Sequence, residues 1–297
     1  MPLLECVPNI SEGRDLGAVA RIADALSRVP GVRLLDRHSD AVHHRSVFTL
    51  VGAADPLRAA VLALFEGALA ELDVSAQRGA HPRIGAVDVV PFVPLSGATM
   101  ADAVTAARAT GEEVAARFGV PVFLYEAAAT ATWRRALQDV RRGQFEGLAA
   151  KLQRPEWQPD FGPAVPHPRL GAVAIGARGI LVAYNINLAT TRLEVAARIA
   201  AVVRESSGGL PCVKAMGLAL PGRGLVQVSM NLTDIDRTSI ADVFDAVSRE
   251  AARDGVEVLE SEVVGLLPAR ALLGAATRFL RLPGFDADRL LETRLAP

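Results

Sequence analysis

Apolar positions return along this chain at two spacings. Met100, Val104, Ala107, Gly111, Val114 and Phe118 recur every three or four residues and line one face of a helix. Thr99 and Asp102 stand at capping-box spacing before that run, with Asp in the usual Glu place. Gly119 and Pro121 close it. Asp55 as cap and Pro56 in the first turn open an earlier helix. Thr191 and Glu194 repeat the capping-box spacing and predict a third, closed by Gly208-Gly209. Ile240, Val243, Phe244, Val247 and Ala251 stripe a fourth that stops at Gly255.

Short strand-like runs lie between these helices. The first half has 3–8, 32–38, 46–52, 86–93 and 121–125; the second has 172–176, 180–188, 212–219, 225–232 and 257–264. Ala177-Arg178-Gly179 and Pro221-Gly222-Arg223-Gly224 read as hairpin turns. Hairpins mixed with helices predict an α+β protein rather than one doubly wound parallel sheet. Each half reads as a split β-α-β, ferredoxin-like unit. The proline-rich, aperiodic stretch 154–168 marks the join, so the predicted domains are 1–165 and 166–297. Trp157 and Phe161 give that stretch something to pack with.

Composition narrows the function. The 297 residues allow one large domain or two ordinary ones, and 51% hydrophobic content supplies a core. A net charge of -1 gives no basic field for nucleic acid or an anionic membrane. Cys6 and Cys212 match neither a disulfide framework nor a metal-ligand spacing, which suits a reducing, cytoplasmic compartment. The N-terminus lacks the pattern of a signal peptide, and no apolar run approaches the ~20 residues of a membrane span.

The candidate chemistry centres on Gly79-Ala80-His81-Pro82-Arg83, a loop before an apolar strand. Pro82 stiffens the turn, His81 can exchange a proton near neutral pH, and Arg83 can hold an anion. A plain surface turn is the alternative. Three of the five histidines fall in 36–45, with two aspartates. Three roles are open to that loop: metal ligation, a catalytic or substrate-binding loop, or a polar surface turn. No strong metal spacing is present, and no metal is expected. His38 and Asp40 are expected near His81, where a carboxylate would favour the imidazolium and raise its pKa.

A third feature is a pair of strands with amide faces. Asn185 and Asn187 alternate with apolar residues in one; Gln227, Ser229 and Asn231 do so in the other. Asn is a poor strand former. Amides donate and accept, so this face could read a heterocycle such as a pterin; a solvated sheet face is the alternative. There is no GxxxxGK[ST], no GxGxxG between strand and helix, and no GxSxG, which disfavours nucleotide-dependent chemistry and serine hydrolysis.

Several stretches together resemble the formiminotransferase domain of the glutamate formimidoyltransferase family. They are Glu5 to Arg14, Leu34 to Asp36 running on to His44-Arg45, Gly79 to Pro94, Pro159 to Pro163, Gly176 to Arg178, Asn185 to Leu188, Gln227 to Leu232 and Val264 to Pro268. The resemblance runs in order from about residue 4 to about residue 275. It implies transfer of the formimino group of N-formimino-L-glutamate to N5 of tetrahydrofolate, in histidine breakdown. It also implies two α/β subdomains with a folate groove between them, and a homodimer. The family's catalytic histidine maps to His81. Its folate-binding segment maps to Gly162, Pro163, Ala164, Val165, Pro166, His167, Pro168, Arg169, Leu170 and Gly171.

The chain departs from the family where Ala80 replaces a common glutamate and where His38 stands for an acidic residue of the animal proteins. The cyclodeaminase domain of the fused animal enzyme is not expected in this sequence; a separate cyclodeaminase is then a possible partner. Chemistry adds that attack by N5 and departure of the glutamate nitrogen each need a proton moved, which one histidine near ~6.5 could do in turn. Arg45, Arg83 and Lys214 are the candidate cations for the donor's carboxylates. Glutamate N-formyl transfer to the same folate nitrogen and a non-catalytic folate-binding module are the alternatives.

Overall fold

A computed structural model of the chain describes residues 2–282, 285, 286 and 289. Two compact units result, Met1–Gly179 and Ile180–Pro297. The first contains β1 (Leu4–Cys6), β2 (Asn9–Ile10), α1 (Leu16–Ser27), β3 (Val32–Asp40), β4 (Arg45–Gly52) and α2 (Ala54–Glu71). It continues with β5 (Val87–Pro94), α3 (Met100–Phe118), β6 (Val122–Glu126), α4 (Leu137–Val140), α5 (Leu148–Leu152) and β7 (Val173–Ala177). The second contains β8 (Val182–Leu188), α6 (Leu193–Val203), β9 (Val213–Leu220), β10 (Leu225–Leu232), α7 (Ile240–Arg253), β11 (Val258–Val264) and α8 (Ala269–Leu280).

Both units share one topology. β1 and β2 are one strand position interrupted at Val7-Pro8, since both pair antiparallel with β4 and β5. With β3 outside β4, the β-α-β-β-α-β run from β1 to β5 has its fourth, first, third and second strands side by side. The second unit has the same spatial order, β11-β8-β10-β9. The first unit then adds β7 and β6 in parallel beyond β5. Parallel strands must be covered on both faces, which is why β5 and β6 read as near-continuous apolar runs.

Alternation decides what each face meets. Leu4, Cys6 and Ile10 join Phe48, Phe65 and Phe92 in the core under α1, α2 and α3. On the other face, Val89, Phe123 and Ala174 pack with Val140, Leu148 and Leu152 of α4 and α5. Trp157 stands edge-on to Phe123, and Lys151 Nζ lies 3.4 Å from its ring centre. Burial lowers the Lys151 pKa to about 8. In the second unit Val182, Tyr184, Ile186 and Leu188 face Val195, Ile199, Val243 and Val247 of the helices.

The Thr99–Asp102 capping box forms as predicted, and Gly119 takes the left-handed C-cap at φ 64°. The Pro221–Gly224 turn joins β9 to β10. Other expectations are corrected. Ala53 is the N-cap of α2, and Asp55 sits inside the first turn, 3.1 Å from Arg58. Thr191 and Glu194 form no box; Arg192 is the N-cap of α6, which ends at Val203, ahead of Gly208-Gly209. Ala177-Arg178-Gly179 is no hairpin, because β7 belongs to the first sheet and β8 to the second. The chain therefore divides at Gly179 rather than at 165/166. The 154–168 stretch is no linker: Phe161 packs on the first core and Phe161 N–H and C=O both bond Val122. Among the described residues no helix is long and apolar enough to cross a membrane.

Candidate active site

Two loops of the first unit interlock at the mouth of β4 and β5. The β3–β4 loop, residues 41–44, runs between Gly13 and Gly79. A Cβ on Gly13 would lie 2.2 Å from the Asp40 carbonyl oxygen, and one on Gly79 would lie 2.3 Å from that of His43. Only glycine permits such approach. His44 is held at φ 53°, a conformation that costs a side-chain-bearing residue about 1–3 kcal/mol and persists where surroundings fix it. The result is a small cleft lined by Ser11, His43, His44, Arg45, Gln77, Gly79, His81 and Arg83.

His81 Nδ1 lies 2.8 Å from Arg45 NH1 and 2.8 Å from the Pro82 carbonyl oxygen. Arg45 can only donate and the carbonyl can only accept. The two contacts therefore ask for opposite tautomers. When Nδ1–H donates to Pro82, Nε2 carries a lone pair and can act as a base. When Nδ1 accepts from Arg45, Nε2 carries the proton. Burial, then the charges of Arg45 and Arg141, hold the His81 pKa well below its ordinary value. The expected rise from a neighbouring carboxylate is thus corrected: its charged neighbours are guanidiniums, and the imidazole is held neutral.

Those guanidiniums are fixed by Asp88, whose fully buried side chain interrupts the apolar β5. Asp88 Oδ2 accepts from Arg45 NH1 at 3.0 Å and from Arg141, while Oδ1 accepts from the Ile84 N–H at 2.9 Å. Arg45 Nε donates to Asn9 Oδ1 at 2.8 Å. Burial and Arg141 bring the Arg45 pKa down to about 10.

The loops have their own clamps. Glu12 accepts from the N–H groups of Gly13, Arg14 and Asp15 and from Gln77 Nε2. Burial works against that carboxylate's charge, but these bonds outweigh it and keep its pKa low. His44 Nδ1 accepts from the Gly13 N–H at 3.2 Å, and burial lowers its pKa, so it is a neutral brace. Arg83 is buried. It donates to Gln77 O at 2.6 Å and to Glu146 at 2.9 Å, which ties down the loop instead of leaving a free cation for substrate.

The other expected residues distribute as follows. Asp40 pairs in register with Arg45, and His38 with Val47. Asp40 Oδ1 accepts from the Val42 and His43 N–H groups, both at 2.7 Å. The imidazole in ring contact with His81 is His43, with centroids 6.3 Å apart and planes at 72°. The segment Gly162–Gly171 belongs to the first unit, not to the second half or a join. Leu170 O accepts from the Ala86 N–H at 2.9 Å, so this segment runs beside the chain that follows His81. Gly171, at φ 71°, leaves no room for a Cβ against Ile84 O. His167 Nδ1 accepts from the Leu170 N–H at 3.0 Å.

In the second unit Asn185, Asn187 and Gln227 are buried on the face away from the helices, Ser229 is half-buried and Asn231 exposed. Gln227 Nε2 donates to Asn187 Oδ1 at 3.0 Å, and Asn187 Nδ2 donates to Glu260 at 2.9 Å. Asn185 Nδ2 donates to Glu262 at 3.2 Å. Lys214 of β9 stands opposite Asn231. Among the described residues no three His, Cys, Asp or Glu side chains are grouped to hold a metal.

Residues 3–178 match the N-terminal subdomain of the formiminotransferase domain, and residues 183–285 match the formiminotransferase domain. The chain belongs to the formiminotransferase family. It is 42% identical over 294 residues to a glutamate formimidoyltransferase of Streptococcus pyogenes, covering 99% of this chain and 98% of that protein. It is 43% identical over 297 residues to one from Thermoplasma acidophilum, with the same coverage. The formimidoyltransferase-cyclodeaminase of Sus scrofa is 42% identical over 280 residues, which are 92% of this chain and 52% of that protein.

Within this formiminotransferase fold, inspection of the sequence missed Asn9, Asp88, Arg141 and the part of His43. Asp88 left a signal, a lone carboxylate inside an apolar strand. Asn9 left one too, beside Pro8 at a strand's end. Arg141 lies in an aperiodic stretch and left none.

Proposed function

We propose that this chain transfers the formimino group of N-formimino-L-glutamate to N5 of tetrahydrofolate. The observation that carries the proposal is His81, kept neutral beside the Arg45–Asp88 pair, in a chain that matches the formiminotransferase domain along most of its length. Attack of N5 on the amidine carbon makes N5 cationic and therefore acidic, so even a weak base can relieve it. His81, with Nδ1–H on Pro82 O, offers Nε2 as that base, and its other tautomer can return the proton. Arg45 and Lys214 are assigned to the donor's carboxylates; Arg83 and Glu146 set the loop. Holding both substrates in one geometry supplies much of the rate.

Tetrahydrofolate is a co-substrate in this proposal, and no step calls for a metal. Gly162–Gly171 is assigned to folate, and the row Gln227, Asn187, Glu260, with Asn185, Ser229 and Asn231, to its pterin ring. Amide and carboxylate neighbours suit a ring that both donates and accepts. The β-α-β-β-α-β order supports calling each unit ferredoxin-like. A cytoplasmic homodimer, working beside a separate cyclodeaminase, completes the proposal.

The test is a steady-state assay with tetrahydrofolate and either N-formimino- or N-formyl-L-glutamate. Formation of 5-formiminotetrahydrofolate with the formimino donor is expected. Turnover of the formyl donor alone, or tight folate binding without turnover, would reject it in favour of formyl transfer or a binding module.

A further inference from the structure

We infer that His43, oriented by Asp40, is a second catalytic residue, which protonates the departing glutamate nitrogen while His81 takes the proton from N5. This rests on the formimino transfer proposed above. The reaction moves two protons at two nitrogens that flank one carbon. A single imidazole would have to let go of one nitrogen and reach the other within the lifetime of the tetrahedral intermediate. Two imidazoles remove that requirement.

The geometry supplies the pair. The His43 and His81 centroids are 6.3 Å apart and the rings nearly perpendicular. Groups that each sit ~2.6–3.2 Å from a substrate nitrogen, with one carbon between the nitrogens, need a separation of this order. Both rings line the same cleft, with His44, Arg45 and Arg83 as the other charged or titratable groups there. Asp40 holds His43 at two points: Oδ1 accepts the His43 backbone N–H, and Oδ2 lies 3.5 Å from Nδ1. A carboxylate there favours the Nδ1–H tautomer and leaves Nε2 as the atom that exchanges a proton with substrate. Nε2 is buried and has no protein partner. Leaving such an atom unsatisfied carries a cost that a substrate nitrogen would remove. The other histidines differ. His44 and His167 spend Nδ1 on backbone N–H groups, and His38 lies in register with Val47 on β3.

The proton count closes. N5 bonds the amidine carbon and gives its proton to His81 Nε2. The glutamate nitrogen takes a proton from His43 Nε2. The carbon–nitrogen bond then breaks, its electron pair staying on the departing amine. One proton has moved from His43 to a product and one from N5 to His81. Passage of a proton from His81 to His43 restores both.

The test is His43→Gln in the full-length chain. It should lower kcat ~10²-fold or more and change either KM by less than a few-fold. A formimino donor with a weakly basic arylamine as leaving group needs no such acid. On it the variant should come within a few-fold of wild type. Asp40→Asn keeps His43 and should lower kcat on the glutamate donor while staying within a few-fold of wild type on the arylamine donor; it decides the matter if circular dichroism finds His43→Gln unfolded. An unchanged kcat, equal losses on both donors, or wild-type kcat in Asp40→Asn would overturn the assignment. Failure of the wild-type chain to transfer formimino groups would instead reject the parent proposal, so the two failures are distinguishable.

Discussion

Asp88→Asn probes the buried charge that organises the site. The substitution keeps size and shape, and its Oδ1 can still accept the Ile84 N–H now held at 2.9 Å. What changes is charge. Arg45 and Arg141 would face each other across an amide whose N–H₂ group also points donors at them. Removing one partner of a buried pair costs about 3–5 kcal/mol, because the remaining charge is left uncompensated. Arg45 and Arg141 keep 15% and 11% of their side-chain surface, so water relieves part of this. The lower end, about 3 kcal/mol, is expected. For a unit the size of Met1–Gly179 that corresponds to roughly 6–12 °C in Tm. Differential scanning calorimetry on wild type and variant reads it, and kcat in the same samples should fall as Arg45 and His81 lose their fixed geometry. A Tm within ~2 °C of wild type, with activity intact, would mean that the Asp88 carboxylate does not hold this cluster.

The remaining expectations concern His81 and the amide row. His81→Ala should lower the single-turnover rate ~10²–10⁴-fold while tetrahydrofolate binding, followed by calorimetry, stays near wild type; a variant within a few-fold of the parent rate rules out the role. Stability should fall as pH drops below ~6.5. His81, His44 and His167 all have folded pKa values below the unfolded one, so the unfolded chain binds more protons in that window and the stability present above it is lost; a Tm that is flat from pH 7 to ~5 contradicts this. Asn187→Leu strands Gln227 and Glu260 and should weaken tetrahydrofolate binding ~10-fold or more, on ~1–3 kcal/mol for each unsatisfied group, with the donor KM unchanged; unaltered folate affinity removes the amide row from the folate site.

Much of this was legible in residue order, because local chemistry and tertiary fold agreed. The Thr99 box, the Gly119 stop, the Pro221–Gly224 turn and the apolar sides of β8 and β10 all follow from short-range rules. What failed was pairing. Nothing near Val173–Ala177 says that this strand lies parallel to β5 and β6, far away in sequence, and a short apolar strand before a glycine looks the same in a hairpin. The domain boundary was misplaced for that reason, since prolines at 155–168 mark a segment packed on the sheet as readily as a tether. At the site, His81 was legible from its stiff loop. Its electrostatic surroundings were not, because Arg45, Asp88 and Arg141 converge from a strand edge, a strand interior and a loop.

The repeated topology explains where polar groups collect. In a β-α-β-β-α-β unit both helices cover one face of the sheet, and polar side chains of the neighbouring strands can meet away from that helix-packed core. In the first unit the central strand offers Asn9, whose Oδ1 takes an N–H from Arg45 of the third strand, and Arg45 in turn meets Asp88 of the fourth. In the second unit the central strand offers Asn187, whose Oδ1 takes an N–H from Gln227 of the third strand, and whose Nδ2 meets Glu260 of the fourth. Asparagine is a costly choice inside a strand, and both are buried. Each is tolerated because its oxygen and nitrogen are both used: Asn9 Nδ2 donates to Val7 O at 2.7 Å. The two rows differ in one respect. A guanidinium in the first row puts a positive field beside an imidazole and keeps it free of a proton. An amide in the second exerts no such field and leaves a carboxylate and hydrogen-bonding edges. One frame thus carries a cationic row beside an imidazole in the first unit and an amide–carboxylate row in the second.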